Sequence, residues 1–497
     1  MNGIRTSIDE LMTKSGVGFG TSGARGLVTR MSDQICYIYT VAFLQYLEEI
    51  SGIGTGERVA VGGDLRKSTL RITRAVIKAI RDKGYSPQYC GRLPSPALAY
   101  YGLMEKIPSI MITGSHIPDD RNGIKFMKKD GEILKSDEAA MKRQIIELRD
   151  ELFNDSGMLE NETDLPDECH EAIERYIGRY RDFFPNGCLN GKRIGVYQHS
   201  AVGREIMVRI MREMGAEVTP LEPSDVFIPV DTEAIRREDI ESAKLWSAQW
   251  KFDALITTDG DSDRPLISDE NGVWIRGDIA GILCARFLDA DTVVTPISCN
   301  TAVEKCGYFE RVYRTKIGSP YVIEGMQRIG NDGAQWIVGY EANGGFLTMS
   351  DIEWEGRVLK ALPTRDAMIV HIALLLLSIH ESKSLSQLVA DLPDRYTCSD
   401  RLKQFPTEKS RAKLTELYSK DRPDDVEFIE SVFGGDFGTV KSVDVTDGLR
   451  IILDTEEVVH LRPSGNAPEF RCYTEADNED RAREMVDICL GIMNTWR

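Results

Sequence analysis

The stretch Phe252-Asp253-Ala254-Leu255-Ile256-Thr257-Thr258-Asp259-Gly260-Asp261-Ser262-Asp263-Arg264-Pro265 decides how the chain is read. The apolar run 252–256 has the length of a buried strand, so three alternating aspartates follow at its carboxyl end. Carboxylates so close repel one another unless a cation lies between them. Oxygen ligands without His or Cys suit Mg²⁺ or another hard divalent ion. A solvated acidic turn is the plainer reading. A calcium EF-hand is the sharper rival, since Glu270 falls at its twelfth position. Yet Arg264 stands where that loop needs glycine, Pro265 follows, and a strand rather than a helix precedes. The spacing therefore predicts a metal site built by Asp259, Asp261 and Asp263.

Outward from this point one unit recurs: an apolar strand, a polar loop, an amphipathic helix. Strands are predicted at 58–62, 87–90 and 110–113, with helices at 69–83 and 97–105 between them. A second run has strands at 192–196, 217–221 and 254–257 and a helix at 203–214. A third has strands at 292–296, 311–315 and 336–339 and a closing helix at 365–380, with Thr364 as its N-cap. Such alternation implies mostly parallel sheets covered by helices. The tail differs: 448–454 and 458–461 read as antiparallel strands and 479–493 as a helix. Polar segments near 150–168 and 395–425 read as linkers.

At about 150 residues per domain, the 497 residues predict three or four domains. The expected fold class is α/β: three consecutive mixed or parallel α/β domains plus a C-terminal α+β domain around a central cleft. The expected boundaries are 1–165, 166–285, 286–394 and 395–497. With 61 basic against 79 acidic residues, the net charge of −18 speaks against nucleic acid or anionic membrane as partner. The start, MNGIRTSIDELM, has no apolar signal core, and the apolar run 367–379 is too short to span a bilayer. Ten scattered cysteines without a C-x-x-C pair suggest reduced thiols and a cytoplasmic home.

Other strand-end loops are rich in Gly, Ser and charge. In Thr113-Gly114-Ser115-His116-Ile117-Pro118-Asp119-Asp120-Arg121-Asn122-Gly123-Ile124-Lys125-Phe126, Ser115 is expected at an exposed turn. Gly114 would let a substrate approach the backbone, and Lys125 could steady phosphate charge. A serine beside a carboxylate-held divalent ion suits phosphoryl transfer. In Gly339-Tyr340-Glu341-Ala342-Asn343-Gly344-Gly345-Phe346, Glu341 and Asn343 would project to one side of an extended segment and suit adjacent sugar hydroxyls. A Gly-rich turn capped by the Asn is an equally good reading. In Arg462-Pro463-Ser464-Gly465-Asn466-Ala467-Pro468-Glu469-Phe470-Arg471, two arginines bracket a loop able to grip an anion. Phe19-Gly20-Thr21-Ser22-Gly23-Ala24-Arg25-Gly26 is glycine-rich with one positive charge, and matches no common phosphate-binding motif.

Together the motifs FGTSGARG, TGSHIPDDRNGIKF, DGDSDR, YEANGGF and RPSGNAPEFR, in this order over nearly the whole length, resemble the α-D-phosphohexomutases, most closely their phosphomannomutase branch. The resemblance implies four domains, each giving one loop to a central site. It implies that Ser115 is the phosphorylated serine and that His116, Lys125 and Arg25 complete the catalytic set. Asp259, Asp261 and Asp263 would hold Mg²⁺, with the phosphoserine at Ser115 giving one more oxygen. Arg264, Glu341 and Asn343 would contact the sugar, and Arg462, Ser464, Gly465, Asn466 and Arg471 a phosphate. Ser262 stands where glycine is usual, which a negative φ would tolerate. Asn343 stands where many relatives have serine, Gly345 where many have histidine, and Asn466 where threonine is common. The implied reaction moves phosphate between C6 and C1 of a hexose, mannose first, through a hexose 1,6-bisphosphate that also acts as activator. Glucose and glucosamine phosphates are alternative substrates, and a metal-dependent phosphatase is the rival reaction. A monomer or homodimer is expected.

Overall fold

Three times the chain builds the same four strands. The computed structural model describes residues 4–20, 23–148, 150–419, 424–464 and 468–497. In the first unit the spatial order is Ser86–Arg92, Arg58–Gly63, Ser109–Ile112, Arg121–Lys128. The second runs Glu217–Pro223, Arg193–His199, Ala254–Thr258, Pro265–Ile267, and the third Arg311–Thr315, Thr292–Pro296, Ile337–Tyr340, Phe346–Thr348. In every unit the first three are parallel and the last folds back antiparallel. Parallel pairs need a crossover, and helices such as Thr69–Asp82, Arg204–Glu213 and Ser319–Asn331 supply it. The antiparallel return needs only a short loop, and each such loop carries one motif: 113–120, 259–264 and 341–345.

The tail is a five-stranded antiparallel sheet, in the order Tyr396–Lys403, Glu469–Ala476, Val458–Pro463, Leu449–Leu453, Val440–Asp444, backed by the helix Glu479–Asn494. Its basic loop joins the hairpin Val458–Pro463 to Glu469–Ala476. The region 395–425, expected as a linker, instead contains the edge strand Tyr396–Lys403 and the helix Thr407–Leu417. Its polarity reflects exposure at a sheet edge, not lack of structure.

One hydrophobic core joins one face of the first unit, around Leu93, Leu98 and Tyr101, to the second and third units, and the helix Ala367–Glu381 is part of it. Every residue from Ala367 to Ser378 is buried, which explains a helix that is apolar all round. No helix among the described residues is long and apolar enough to cross a membrane. Thr364 does not cap this helix. Its hydroxyl donates to Glu132, and the N-cap position falls on Asp366, whose carboxylate is taken by Tyr176 and Tyr180. The tail has a separate core of its own.

Three buried histidines give the fold an acid limit. Burial pushes His371 down to about 3, and His199 and His460 to about 4. Each stays neutral when folded and takes a proton when unfolded. Stability is therefore unaffected above about pH 6.5 and falls as pH drops below it, by about 1.4 kcal/mol per histidine per unit. Urea titrations from about pH 7.5 to 5 should show this slope, and His371→Leu should lose about one proton's share of it. An unchanged slope in that variant would contradict the assignment.

Candidate active site

The serine loop meets the acidic loop directly. Ser115 Oγ lies 2.5 Å from Asp259 Oδ2, across 144 residues of sequence, and 3.3 Å from His116 Nδ1. Ser115 is not at an exposed turn: it is fully buried, because the acidic loop closes over it. A Cβ at Gly260 would lie 2.7 Å from the Ser115 carbonyl. Ser115 has φ +54°, a left-handed conformation that L-residues adopt at a cost of about 1 kcal/mol or more. Arg66 supports it. This buried guanidinium pairs with Asp64 and donates to the carbonyls of Ser115, Ile117, Pro118 and Arg121. Gly114 therefore serves Arg66 rather than a substrate, since a Cβ there would lie 2.7 Å from Arg66 Cζ. Neither Asp64 nor Arg66 was predicted. The loop Gly62-Gly63-Asp64-Leu65-Arg66, directly after a strand, was the available signal.

Ser262 also departs from expectation. Its φ is +58°, not negative. Its hydroxyl offsets the strain, accepting from Gly203 N–H and Thr258 Oγ1 at 2.9 Å each.

Ligand-atom positions on Asp259, Asp261 and Asp263 lie within 4.8 Å of one another, and all three residues are buried. Each carboxylate is divided between protein and the space they share. Lys125 Nζ sits 2.5 Å from Asp261 Oδ2 and 2.6 Å from Asp263 Oδ2, while Ser95 donates to Asp261 Oδ2 at 2.6 Å. Arg365 Nε donates to Asp263 Oδ2 at 3.0 Å. The other oxygens, Asp261 Oδ1 and Asp263 Oδ1, are buried without a hydrogen-bond partner among the described residues. Such oxygens are costly to leave unmatched, and an all-oxygen set fits a hard divalent cation. Burial, then Asp261 and Asp263, raise the Asp259 carboxyl well above its usual range. Burial opposes the charge of Asp261 too, but Lys125, Ser95 and Arg365 together outweigh it and hold that carboxyl low. Lys125 in turn stays charged: burial would lower it, and Asp261 and Asp263 more than compensate.

His116 is neutral. Burial, then Arg264, push it down to about 3. Arg264 Nη1 lies 2.9 Å from His116 Nδ1, and a guanidinium can only donate, so Nδ1 is an acceptor. Arg25 pairs in register with Gly123; burial, then Arg264 and Arg365, lower it to about 10.

Glu341 and Asn343 do not lie on an extended segment. Gly344 N–H donates to Glu341 O at 2.9 Å, Gly345 O receives Glu341 N–H at 3.0 Å, and Gly344 has φ +87°. The loop is a tight turn, and Asn343 Oδ1 caps it through Gly345 N–H at 2.9 Å. Glu341 instead faces Arg365 Nη1 at 3.5 Å. Gly345 makes that room, since a Cβ there would lie 2.4 Å from Arg365 Cδ. Arg365 is the main residue that the sequence reading missed. It is 1% exposed and joins the acidic loop to Glu341. A charged triplet, Thr364-Arg365-Asp366, at the head of an apolar helix was its signal. The segment 224–236 was missed as well. Phe227 packs 3.8 Å under Arg66, and Thr232 Oγ1 donates to Asn343 O at 2.6 Å.

The basic loop forms a second cluster. Arg462 and Arg471 face each other in register across the hairpin, and Arg462 Nε donates to Asp447 at 2.8 Å. Buried Arg471 Nε has no hydrogen-bond partner among the described residues. Ser464 is buried, and its N–H donates to Glu469 O at 2.9 Å. Gly465 and Asn466 lie outside the described residues.

The chain is similar to known proteins in sequence and in fold. Family models described as phosphoglucomutase/phosphomannomutase α/β/α domain I, α/β/α domain III and C-terminal domain match residues 16–151, 276–396 and 410–490. A phosphomannomutase of Salmonella muenchen is 43% identical over 482 residues, 97% of this chain and 96% of its own. One from Sinorhizobium fredii is 41% identical over 481 residues, covering 97% and 99%. The solved structure of a phosphoglucomutase/phosphomannomutase family protein from Burkholderia thailandensis superposes with a TM-score of 0.72 at 16% identity, over 96% of this chain and 97% of that one, a likeness of fold.

Proposed function

This chain belongs to the phosphoglucomutase/phosphomannomutase family, and we propose that it interconverts mannose 6-phosphate and mannose 1-phosphate through a phosphoserine at Ser115. One observation carries the reading: Ser115 Oγ is 2.5 Å from a carboxylate of the Asp259–Asp261–Asp263 cluster. The unmatched oxygens of Asp261 and Asp263, with Asp259 and a phosphate oxygen on Ser115, would hold Mg²⁺. When bound, that ion supplies positive charge beside the phosphoryl group.

The chain's own residues do the rest. Phosphoserine 115 gives its phosphoryl group to the free hydroxyl of the bound hexose phosphate: the Oγ–P bond breaks, a sugar O–P bond forms, and the hydroxyl's proton ends on Ser115 Oγ. The hexose 1,6-bisphosphate turns end for end, and Ser115 takes the other phosphate. Neutral His116 accepts from Arg264 through Nδ1 and so helps fix that guanidinium beside Ser115 Oγ, 3.3 Å from the same nitrogen. Lys125, Arg264 and Arg25 supply fixed positive charge. Glu341 reads sugar hydroxyls, with Asn343 shaping the turn that presents it. Arg462, Ser464 and Arg471, together with Gly465 and Asn466, hold the phosphate that is not reacting. The division at 1–165, 166–285, 286–394 and 395–497 is supported by one main sheet in each part. Ten free cysteines support a cytoplasmic location.

Incubation with mannose 1-phosphate and the bisphosphate activator should give mannose 6-phosphate faster than inorganic phosphate. Release of inorganic phosphate as the main product would make the protein a phosphatase. Glucose and glucosamine 1-phosphates in parallel assays rank the substrates. Arg462→Ala should raise KM for the sugar phosphate on the order of 10-fold or more, the scale of a lost charge-assisted contact. An unaltered KM would count against the clamp.

A further inference from the structure

The turn at 445–448, in the tail sheet, is fixed with unusual care. Gly448 has φ +92°, and a Cβ there would lie 2.3 Å from the Leu461 carbonyl, so only glycine allows the turn to press on the neighbouring strand. The His460 ring bonds the Asp447 carbonyl through Nε2 at 2.7 Å. These constraints aim the Asp447 carboxylate. Its Oδ2 accepts from Arg462 Nε at 2.8 Å and from the Ile317 backbone N–H at 3.0 Å. Arg462 belongs to the phosphate clamp; Ile317 lies in the third unit, between the strand Arg311–Thr315 and the helix Ser319–Asn331.

We propose that Asp447 is a positioning residue: it orients Arg462 for phosphate, and it does so fully only while the tail domain rests on the loop around Ile317. The inference rests on the reading of Arg462 as a phosphate ligand. Engagement through Nε leaves the two terminal amino groups as an end-on pair for an anion. A free arginine loses rotamer freedom when it captures phosphate, and one already held by Asp447 loses less. Among the described residues, hydrogen bonds between the tail and the third unit fall into two groups. One adjoins the covalent connection, where Asn300 Nδ2 donates to Arg395 O at 2.7 Å and Arg395 pairs with Glu475. A rotation of the tail about that connection leaves those bonds near the pivot. The bond from Ile317 to Asp447 is away from the pivot in sequence and crosses between two separate cores. Swinging the tail out removes it, and one of the two donors that fix Oδ2 is lost with it. Clamp geometry and domain closure thus share one oxygen atom.

The test is steady-state kinetics with mannose 1-phosphate on Asp447→Ala, Asp447→Asn, Arg462→Ala and the double alanine variant. Asp447→Ala should raise KM on the order of 10-fold with a smaller change in kcat. Asp447→Asn, which keeps an oxygen acceptor but no charge, should raise it about threefold. The double variant should match Arg462→Ala alone, because Asp447 acts through Arg462. Hydrogen exchange at the Ile317 amide should quicken in Asp447→Ala. Three results would overturn the proposal: an unchanged KM in both Asp447 variants while Arg462→Ala raises it, full additivity in the double variant, or unaltered exchange at Ile317. An unchanged KM in Arg462→Ala itself would instead overturn the clamp reading on which the proposal stands.

Discussion

Ser115→Ala is expected to lose turnover on the order of 10⁴-fold or more, the scale seen when a covalent nucleophile is removed. The loss should fall on kcat. Sugar-phosphate affinity should be little changed, because Arg462, Arg471 and Glu341 lie on other loops. Folding should survive. Alanine keeps the buried volume nearly unchanged, and Arg66 still grips the loop through backbone carbonyls that do not depend on the side chain. The cost to stability is about 1–3 kcal/mol, from alanine's intolerance of φ +54° and from the lost bond to Asp259. A folded Ser115→Ala protein with wild-type turnover would remove the nucleophile.

Asp261→Asn is expected to cost about 10²–10³-fold in kcat and to weaken divalent-metal binding measured calorimetrically. Asp261 has three tasks: one oxygen faces the space shared with Asp259 and Asp263, while the other receives Lys125 and Ser95. The amide keeps the shape but loses the charge. That leaves Lys125 with Asp263 alone, and a buried ammonium short of counter-charge is costly. Excess chelator should silence the wild type to a similar degree. Full activity in excess chelator would contradict the metal role. Equal metal affinity in wild type and Asp261→Asn would place the ion elsewhere.

Much of the fold was legible because hydrophobic periodicity marks strands and helices locally. The strand Ala254–Thr258 and the three aspartates after it were read in place, and the parallel units followed from alternation. What escaped was the antiparallel fourth strand of each unit, which is short in the second and third. Pro265–Ile267 and Phe346–Thr348 have three residues each, too few to show a period. Yet those two returns make the loops 259–264 and 341–345 short hairpins, which is why Asn343 caps a turn. In the site, residues carried by compact motifs were visible, Ser115 and Asp259 among them. Long buried side chains outside those motifs were not. Arg66 and Arg365 each come from a different segment than the groups they hold, and nothing local in Leu65-Arg66-Lys67 or Thr364-Arg365-Asp366 says whether the arginine points to solvent or into the core. Ser115 and Ser262 both take positive φ, where sequence alone favours glycine. Tertiary hydrogen bonds, donated by Arg66 in one case and by Gly203 N–H in the other, override that local preference.

The most direct test follows a labelled phosphoryl group. Enzyme charged from labelled hexose 1,6-bisphosphate should carry the label on the peptide containing Ser115, and unlabelled mannose 1-phosphate should chase it into bisphosphate and mannose 6-phosphate. Label absent from Ser115, or discharged as inorganic phosphate while the sugar phosphate is present, would contradict the account.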